Sequence, residues 1–311
     1  MFTCVVVLHD SEADIVRLLG SIDRHLPDRP QVICVDTDST DAGAARAEAW
    51  GAEVVRLGDN PGFGAANNIG VDRATHPVTA LLNPDCELHD DGLARLASLA
   101  AGRDALLAPR LLNTDGSTQR SAHPPPGGAD ALVPALIHPR VLPRPLRERF
   151  DPWRAAQPRL VGWAIAACLV ARTSLLRRVG PFDPAHFLFA EDLDLCLRAA
   201  AAGSPTELHP AVALTHHGAT STTAAYDGEP FTLVAAQRRR VIGAALGPRA
   251  LARDDTAQAL TFRTRAAART LVGRDATRER AQLAALRAAR ALSAVESPAG
   301  HPDGPQGRTP A

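Results

Sequence analysis

The chain has 311 residues, 45% of them hydrophobic and 22% charged, which is enough for one large globular domain with an appendage. Its 34 basic residues are matched by 34 acidic ones, so there is no global field to recruit nucleic acid or an anionic membrane. Lysine is absent, and fourteen arginines against six acids lie from Arg238 onward; in a chain rich in Ala, Arg and Pro this reads as compositional bias.

The five cysteines form no C-x-x-C pair and mostly sit in apolar runs, so reduced, buried thiols are expected. No charged n-region precedes the first apolar run, and no stretch approaches the about 20 apolar residues of a membrane span. These features predict a cytoplasmic protein and leave only peripheral contact at the inner face of the membrane open.

In chain order, Phe2 to Leu8 is a β-branched apolar run, a strand. Ser11 with Asp14 three positions on predicts a capped helix bearing Ile15, Leu18, Leu19 and Ile22. Strands are predicted at Val32 to Val35, Glu53 to Leu57 and Val78 to Leu82. Helices are predicted at Asp41 to Trp50 and Asp91 to Ala100, and a Gly/Asn-rich turn and helix at Asn60 to Arg73. Buried strands alternating with helices indicate an α/β fold, a mostly parallel sheet covered on both faces.

The segment 123–158 is Pro-rich and cannot be regular throughout. After it come an apolar run at Leu160 to Val170, helices at Thr173 to Val179 and Glu191 to Ala202, and a strand at Val212 to Thr215. Two helical patterns, Glu229 to Ala245 and Asp255 to Val295 with a break near Gly273, end the fold. The expected organisation is a catalytic domain over 1–246, C-terminal helices over 247–296 and a disordered tail over 297–311.

Such sheets bind ligands at the carboxyl ends of their strands. Those ends carry His9-Asp10, Asp36-Thr37-Asp38, Asn60 to Gly64 and Asn83-Pro84-Asp85. No Gly-x-Gly-x-x-Gly turn follows the first strand and no P-loop is present, which argues against dinucleotide and triphosphate cradles. Asp36 can accept hydrogen bonds from a base or ribose; taken alone, it is equally a turn and helix cap. Asp85 can give a hard cation its carboxylate, with Asn83 beside it. Glu191, Asp192 and Asp194 open a helix whose dipole favours the charged form, as a proton-accepting base requires. Adjacent His216 and His217 point different ways, so at most one would join a metal held by Asp85.

Together, Val35-Asp36-Thr37-Asp38-Ser39-Thr40-Asp41, Asn60-Pro61-Gly62-Phe63-Gly64-Ala65-Ala66-Asn67-Asn68, Leu82-Asn83-Pro84-Asp85 and Val179-Gly180-Pro181-Phe182-Asp183 through Glu191-Asp192-Leu193-Asp194 to Arg198 resemble family 2 of the inverting glycosyltransferases. The resemblance spans roughly residues 3–221, favours the rhamnosyltransferase-like branch and implies the GT-A nucleotide-diphospho-sugar fold. It implies a nucleoside-binding Asp36, a metal and diphosphate site at Asn83-Pro84-Asp85 with Mg2+ or Mn2+, a general base at Asp192 beside Glu191, and a histidine, His216, assisting the metal, with Gly218 and Ser221 after it. His9, Asp38, Asn60, Gly64, Asn67, Trp163 and Arg198 complete the implied donor-binding set. The partners implied are a nucleotide sugar and an acceptor hydroxyl, with a lipid-linked acceptor among the candidates.

Three positions depart from the family pattern: His9-Asp10 replaces Tyr-Asn, Asp36-Thr37 replaces Asp-Asn, and Ala166 replaces a glycine before the small-residue pair. A nucleotidyltransferase on a similar fold would want a Gly/Arg/Lys-rich loop where Leu8-His9-Asp10-Ser11 stands. A sugar-nucleotide-binding protein without turnover is the other alternative.

Overall fold

A computed structural model describes residues 1–137, 139–183, 189–218 and 230–295. Strands β1 (Thr3–Leu8), β2 (Gln31–Thr37), β3 (Glu53–Leu57) and β4 (Val78–Leu82) pair in parallel in the order β3-β2-β1-β4, with helices α1 (Glu12–His25), α2 (Gly43–Trp50) and α3 (Phe63–Arg73) between them. Side chains of β1 alternate between the two faces. Cys4, Val6 and Leu8 pack with Ile15 and Leu18 of α1, while Val5 packs with Val71 of α3. Gly70 lets α3 lie on that second face, because a Cβ there would come 2.3 Å from Val5 Cγ1.

Beyond β4 the pairing becomes mixed. The elements are β5 (Cys86–Leu88), α4 (Gly92–Ala101), β6 (Leu106–Leu112), β7 (Ala122–His123), β8 (Arg159–Val161), β9 (Trp163–Ala164), β10 (Cys168–Arg172), α7 (Thr173–Val179), α8 (Glu191–Ala201) and β11 (Thr206–His216). β10 runs antiparallel between β4 and β6, followed by β11 and β5. β5 and β6 escape the sequence reading, and β11 is longer than expected, bulging between His209 and Ala213 around Pro210.

The Pro-rich segment is neither sheet nor open coil. It folds into α5 (Val133–Leu136), α6 (Arg144–Phe150) and single 3-10 turns. α9 (Phe231–Leu271) and α10 (Thr277–Val295) close the described chain. α9 does not stop at Ala245: it kinks at Gly247 (φ 80) ahead of Pro248 and resumes. Its first part packs Val241 and Ile242 against Leu193 of α8, and its second part meets the Pro-rich segment, where Thr264 Oγ1 donates to the Ala135 carbonyl at 2.8 Å. Among the described residues no helix is long and apolar enough to cross a membrane, and the expected tail at 297–311 lies outside them. All five cysteines are unbridged and buried, and burial pushes the Cys34 and Cys168 thiols up to about 12.

Candidate active site

The first two strand ends form one unit. Asp36 ends β2, is 6% exposed, and its Oδ1 has no hydrogen-bond partner. Next to it, His9 Nδ1 lies 3.0 Å from the Thr37 carbonyl oxygen, and Asp10 accepts the Thr40 amide at 2.7 Å. Asp41 accepts amide hydrogens from the starts of two helices, Glu12 of α1 at 2.7 Å and Gly43 of α2 at 2.9 Å. The expected Ser11 cap is therefore corrected: its hydroxyl turns back to the His9 carbonyl, and the distant Asp41 serves α1 instead. Asp38 is exposed with φ 62.

On α3 the expected donor contacts become internal bonds. Asn60 Oδ1 accepts the Gly62 amide in the expected turn, and the helix follows from Phe63. Gly64 faces Phe182, where a Cβ would approach to 2.8 Å, and the buried Asn67 donates to the Phe63 carbonyl. Asn68, absent from the expected set, holds the Phe182 backbone through both amide atoms, at 2.8 and 2.9 Å.

The third strand end carries the metal candidate. Asp85 is 9% exposed; His216 Nε2 lies 3.3 Å from its Oδ1, and the Gly218 amide donates to its Oδ2 at 3.0 Å. Burial raises the Asp85 carboxyl, but His216 and the Gly218 amide outweigh it and hold the group below the usual carboxylate range. Gln119 Oε1 lies 2.9 Å from His216 Nδ1 and takes the Nδ1–H, which turns Nε2 toward Asp85 Oδ1 and the Asn83 amide nitrogen at 3.4 Å; protonated, Nε2 donates to Asp85, and deprotonated it is free to ligate a cation. His217 turns away to Glu87 at 3.1 Å. Asn83 Oδ1 and Asp85 Oδ1 are buried without a hydrogen bond. Two oxygens and an imidazole nitrogen, converging and incompletely satisfied, fit a divalent cation that draws further oxygens from substrate or water. Ser221 lies outside the described residues.

The acid pair opens α8 behind two consecutive left-handed residues, Phe189 (φ 69) and Ala190 (φ 64). Glu191 is 8% exposed and its Oε2 has no partner. Asp192 Oδ1 accepts the Leu193 amide at 2.7 Å, and the carboxylate also takes the Ala166 amide. The helix start does not lower this pair as expected: both carboxyls are raised, and Asp192 remains the one mostly ionised at neutral pH. Burial, with Asp192 beside it, pushes Glu191 up to about 8; burial pushes Asp192 up to about 6 against its two amide partners and the Arg238 charge.

Near the pair, Trp163 stacks on His123, ring centroids 4.0 Å apart, and the Arg238 guanidinium lies 6.0 Å from the Trp163 ring centroid. Burial, Arg120 and Arg238 push His123 down to about 3, so it stays neutral. Arg198 does not face a ligand: it bonds Asp194 at 2.7 Å and the Val179, Gly180 and Pro181 carbonyls, tying the approach to α8 in place.

Ala166-Ala167 joins the two acidic regions. The Ala167 carbonyl accepts the Asn83 amide at 2.9 Å and the Cys86 thiol at 3.2 Å, while the neighbouring Ala166 amide meets Asp192. Gln119, Asn68 and Asp41 act through others, and no sequence signal sets Gln119 apart from any loop glutamine.

Residues 3–156 match the model of glycosyl transferase family 2. The chain is 30% identical over 242 residues to N-acetylglucosaminyl-diphospho-decaprenol L-rhamnosyltransferase of Mycobacterium tuberculosis, covering 70% of this chain and 76% of that protein. It is 27% identical to rhamnosyltransferase WbbL of Escherichia coli, over 50% of this chain and 61% of that one. In fold it resembles a mannosyltransferase from Pyrobaculum calidifontis in complex with GDP-Man and Mn2+, with a TM-score of 0.60 and 16% identity over 94% of this chain and 87% of that one. The strand ends, the acid pair and these likenesses agree: the chain belongs to glycosyl transferase family 2, with the GT-A fold, and is rhamnosyltransferase-like.

Proposed function

We propose that the chain transfers a sugar from a nucleoside-diphosphate donor to a hydroxyl of a lipid-linked diphosphate acceptor, with inversion at the anomeric carbon. The observation that carries this reading is the Ala166-Ala167 junction, where one peptide bonds both ends of the Asn83–Cys86 turn that bears Asp85 and the neighbouring amide bonds Asp192. The acceptor class follows the name of the Mycobacterium tuberculosis relative, which also makes L-rhamnose the first donor sugar to test.

Asp36, buried with one unpartnered oxygen, receives the nucleoside, and His9 and Asp38 border it. Asp85 and His216 hold Mg2+ or Mn2+, oriented by Gln119. The bound cation supplies neutralising charge to the departing nucleoside diphosphate. Asp192 takes the proton from the acceptor hydroxyl; a carboxylate raised by burial is a stronger base near neutral pH than an exposed one. Glu191, raised further, keeps its proton at neutral pH and offers a hydrogen-bond donor beside the base. Trp163 lines the acceptor side, and Asn60, Gly64, Asn67 and Arg198 position the loops.

The test is transfer from a panel of nucleotide sugars with Mg2+ or Mn2+, comparing wild type with Asp192→Asn. Donor-dependent product from the wild type and a collapse of turnover in the variant are expected. Equal turnover in the variant, or no donor binding at all, sinks the assignment.

A further inference from the structure

A cavity of about 370 Å³ lies between the Pro-rich segment and the C-terminal helices, within the size range of small-molecule sites. Five arginines line it: Arg120, Arg154, Arg265, Arg269 and Arg274. Its acids are only two, Asp151, 3.6 Å from Arg154, and Glu279, 3.6 Å from Arg269, both at the long end of ion-pair distance. Arg265 has no hydrogen bond or ion pair among the described residues. Arg120 lies 4.6 Å over the ring of Trp153, another wall of the cavity; that ring is 4% exposed, and its Nε1–H has no acceptor. Burial and the neighbouring Arg265 charge hold the Arg120 guanidinium below its ordinary value, and burial does the same to Arg265. Five guanidiniums against two carboxylates, one of them Glu279 with an unpartnered Oε2, and an orphaned donor leave a surplus of positive charge around the void that an anion with several acceptor oxygens would meet.

The position of the cavity narrows which anion. Arg120 adjoins Gln119, which bonds His216, so one dipeptide reaches the metal candidate with one side chain and the cavity with the next. From Trp153 a row of rings runs through His123, at 6.2 Å, to Trp163, which packs against Leu193 of α8. Leu271 and Val272, 88% and 65% exposed, stand between the lining residues Arg269 and Arg274, and Val141, 74% exposed, stands two residues from the lining Pro139. A cationic seat linked to the acid-pair region by this row of rings, with exposed apolar residues nearby in the chain, suits a diphosphate that carries a sugar on one side and a hydrocarbon chain on the other.

We propose that this cavity seats the diphosphate of the acceptor, with Arg265 and Arg120 as its principal contacts, an inference that rests on the transferase reading above. The probe is inorganic pyrophosphate, titrated by calorimetry into the full chain in EDTA without donor. Arg265→Gln should weaken binding by roughly tenfold or more, as expected on losing a charge-assisted hydrogen bond, and Asp85→Asn should leave it unchanged. In steady state Arg265→Gln should raise KM for a lipid-diphosphate acceptor in the same proportion and leave KM for the donor alone. The exposed Arg154→Gln serves as a second variant should Arg265→Gln fail to fold.

Pyrophosphate binding that survives Arg265→Gln, or that disappears in Asp85→Asn, overturns the assignment. So does loss of sedimentation with phosphatidylglycerol vesicles in Arg265→Gln without any pyrophosphate binding, which would give the cavity to a bilayer headgroup. Pyrophosphate binding without nucleoside-diphosphate binding would sink the transferase reading and leave an anion site; the reverse would sink the cavity assignment alone.

Discussion

Asp85 follows a sheet strand and Asp192 opens a helix, and their surroundings drive the two aspartates in opposite directions. Asp85 has an imidazole and a backbone amide within reach, so burial loses and the group stays ionised. Asp192 has two amides and a more distant guanidinium, and burial wins. Residue type makes a carboxylate available; the count and charge of its neighbours decide whether it suits a cation or a proton.

The largest expected effect comes from removing the proton acceptor. Asp192→Asn should lower kcat by about 10²- to 10⁴-fold with the donor still bound, as single-turnover kinetics and donor titration can show. A similar loss of donor affinity would erase the distinction between the two aspartates. Asp85→Asn should do the opposite, costing metal and diphosphate affinity first, read as a rise of the Mn2+ concentration needed for half-maximal turnover. Gln119→Leu sharpens the point, because it touches neither substrate: losing the carbonyl that fixes the His216 tautomer should weaken metal affinity roughly 10- to 100-fold.

The pH profile separates the pair again. With Asp192 raised to about 6, kcat should climb about tenfold per pH unit below 6 and level off above it, while donor affinity stays flat because Asp85 remains ionised through that range. Stability runs the other way. The folded state holds protons on Asp192 and Glu191 that the unfolded chain has released, so stability falls as pH rises from the ordinary carboxylate range through about 6 to about 8. Asp192→Asn, inactive, should therefore melt higher than wild type at pH 8, by roughly 2–4 °C for each kcal/mol recovered. The smallest effect is expected at Asp41→Ala, about 1 kcal/mol in chemical denaturation from lost helix capping.

The donor half was legible because its signals are local. The continuous β-branched apolar run Phe2–Leu8 and the helical spacing of Ile15, Leu18, Leu19 and Ile22 give strand and helix directly, and the rule of strand ends then places Asp36 and Asp85. What escaped depends on contacts far apart in the chain. The α1 cap comes from Asp41, 29 residues away, and Gln119 acts on His216 across 97. Arg198 carries the charge of a diphosphate ligand, but its partners are three carbonyls 17 to 19 residues upstream. The direction of the Asp192 shift was misread for the same reason: a helix start is visible in sequence, whereas the depth of the pocket enclosing it is not.

Asp41 has a consequence beyond stability. Because one carboxylate terminates α1 and α2 together, the loop bearing His9 and Asp10 and the loop bearing Asp36 and Asp38 share a fastening. An inserted residue in either loop, tolerated in most surface connections, would here pull a hydrogen bond out of the other. The two loops are therefore one evolutionary unit, free to exchange side chains but held to matched lengths.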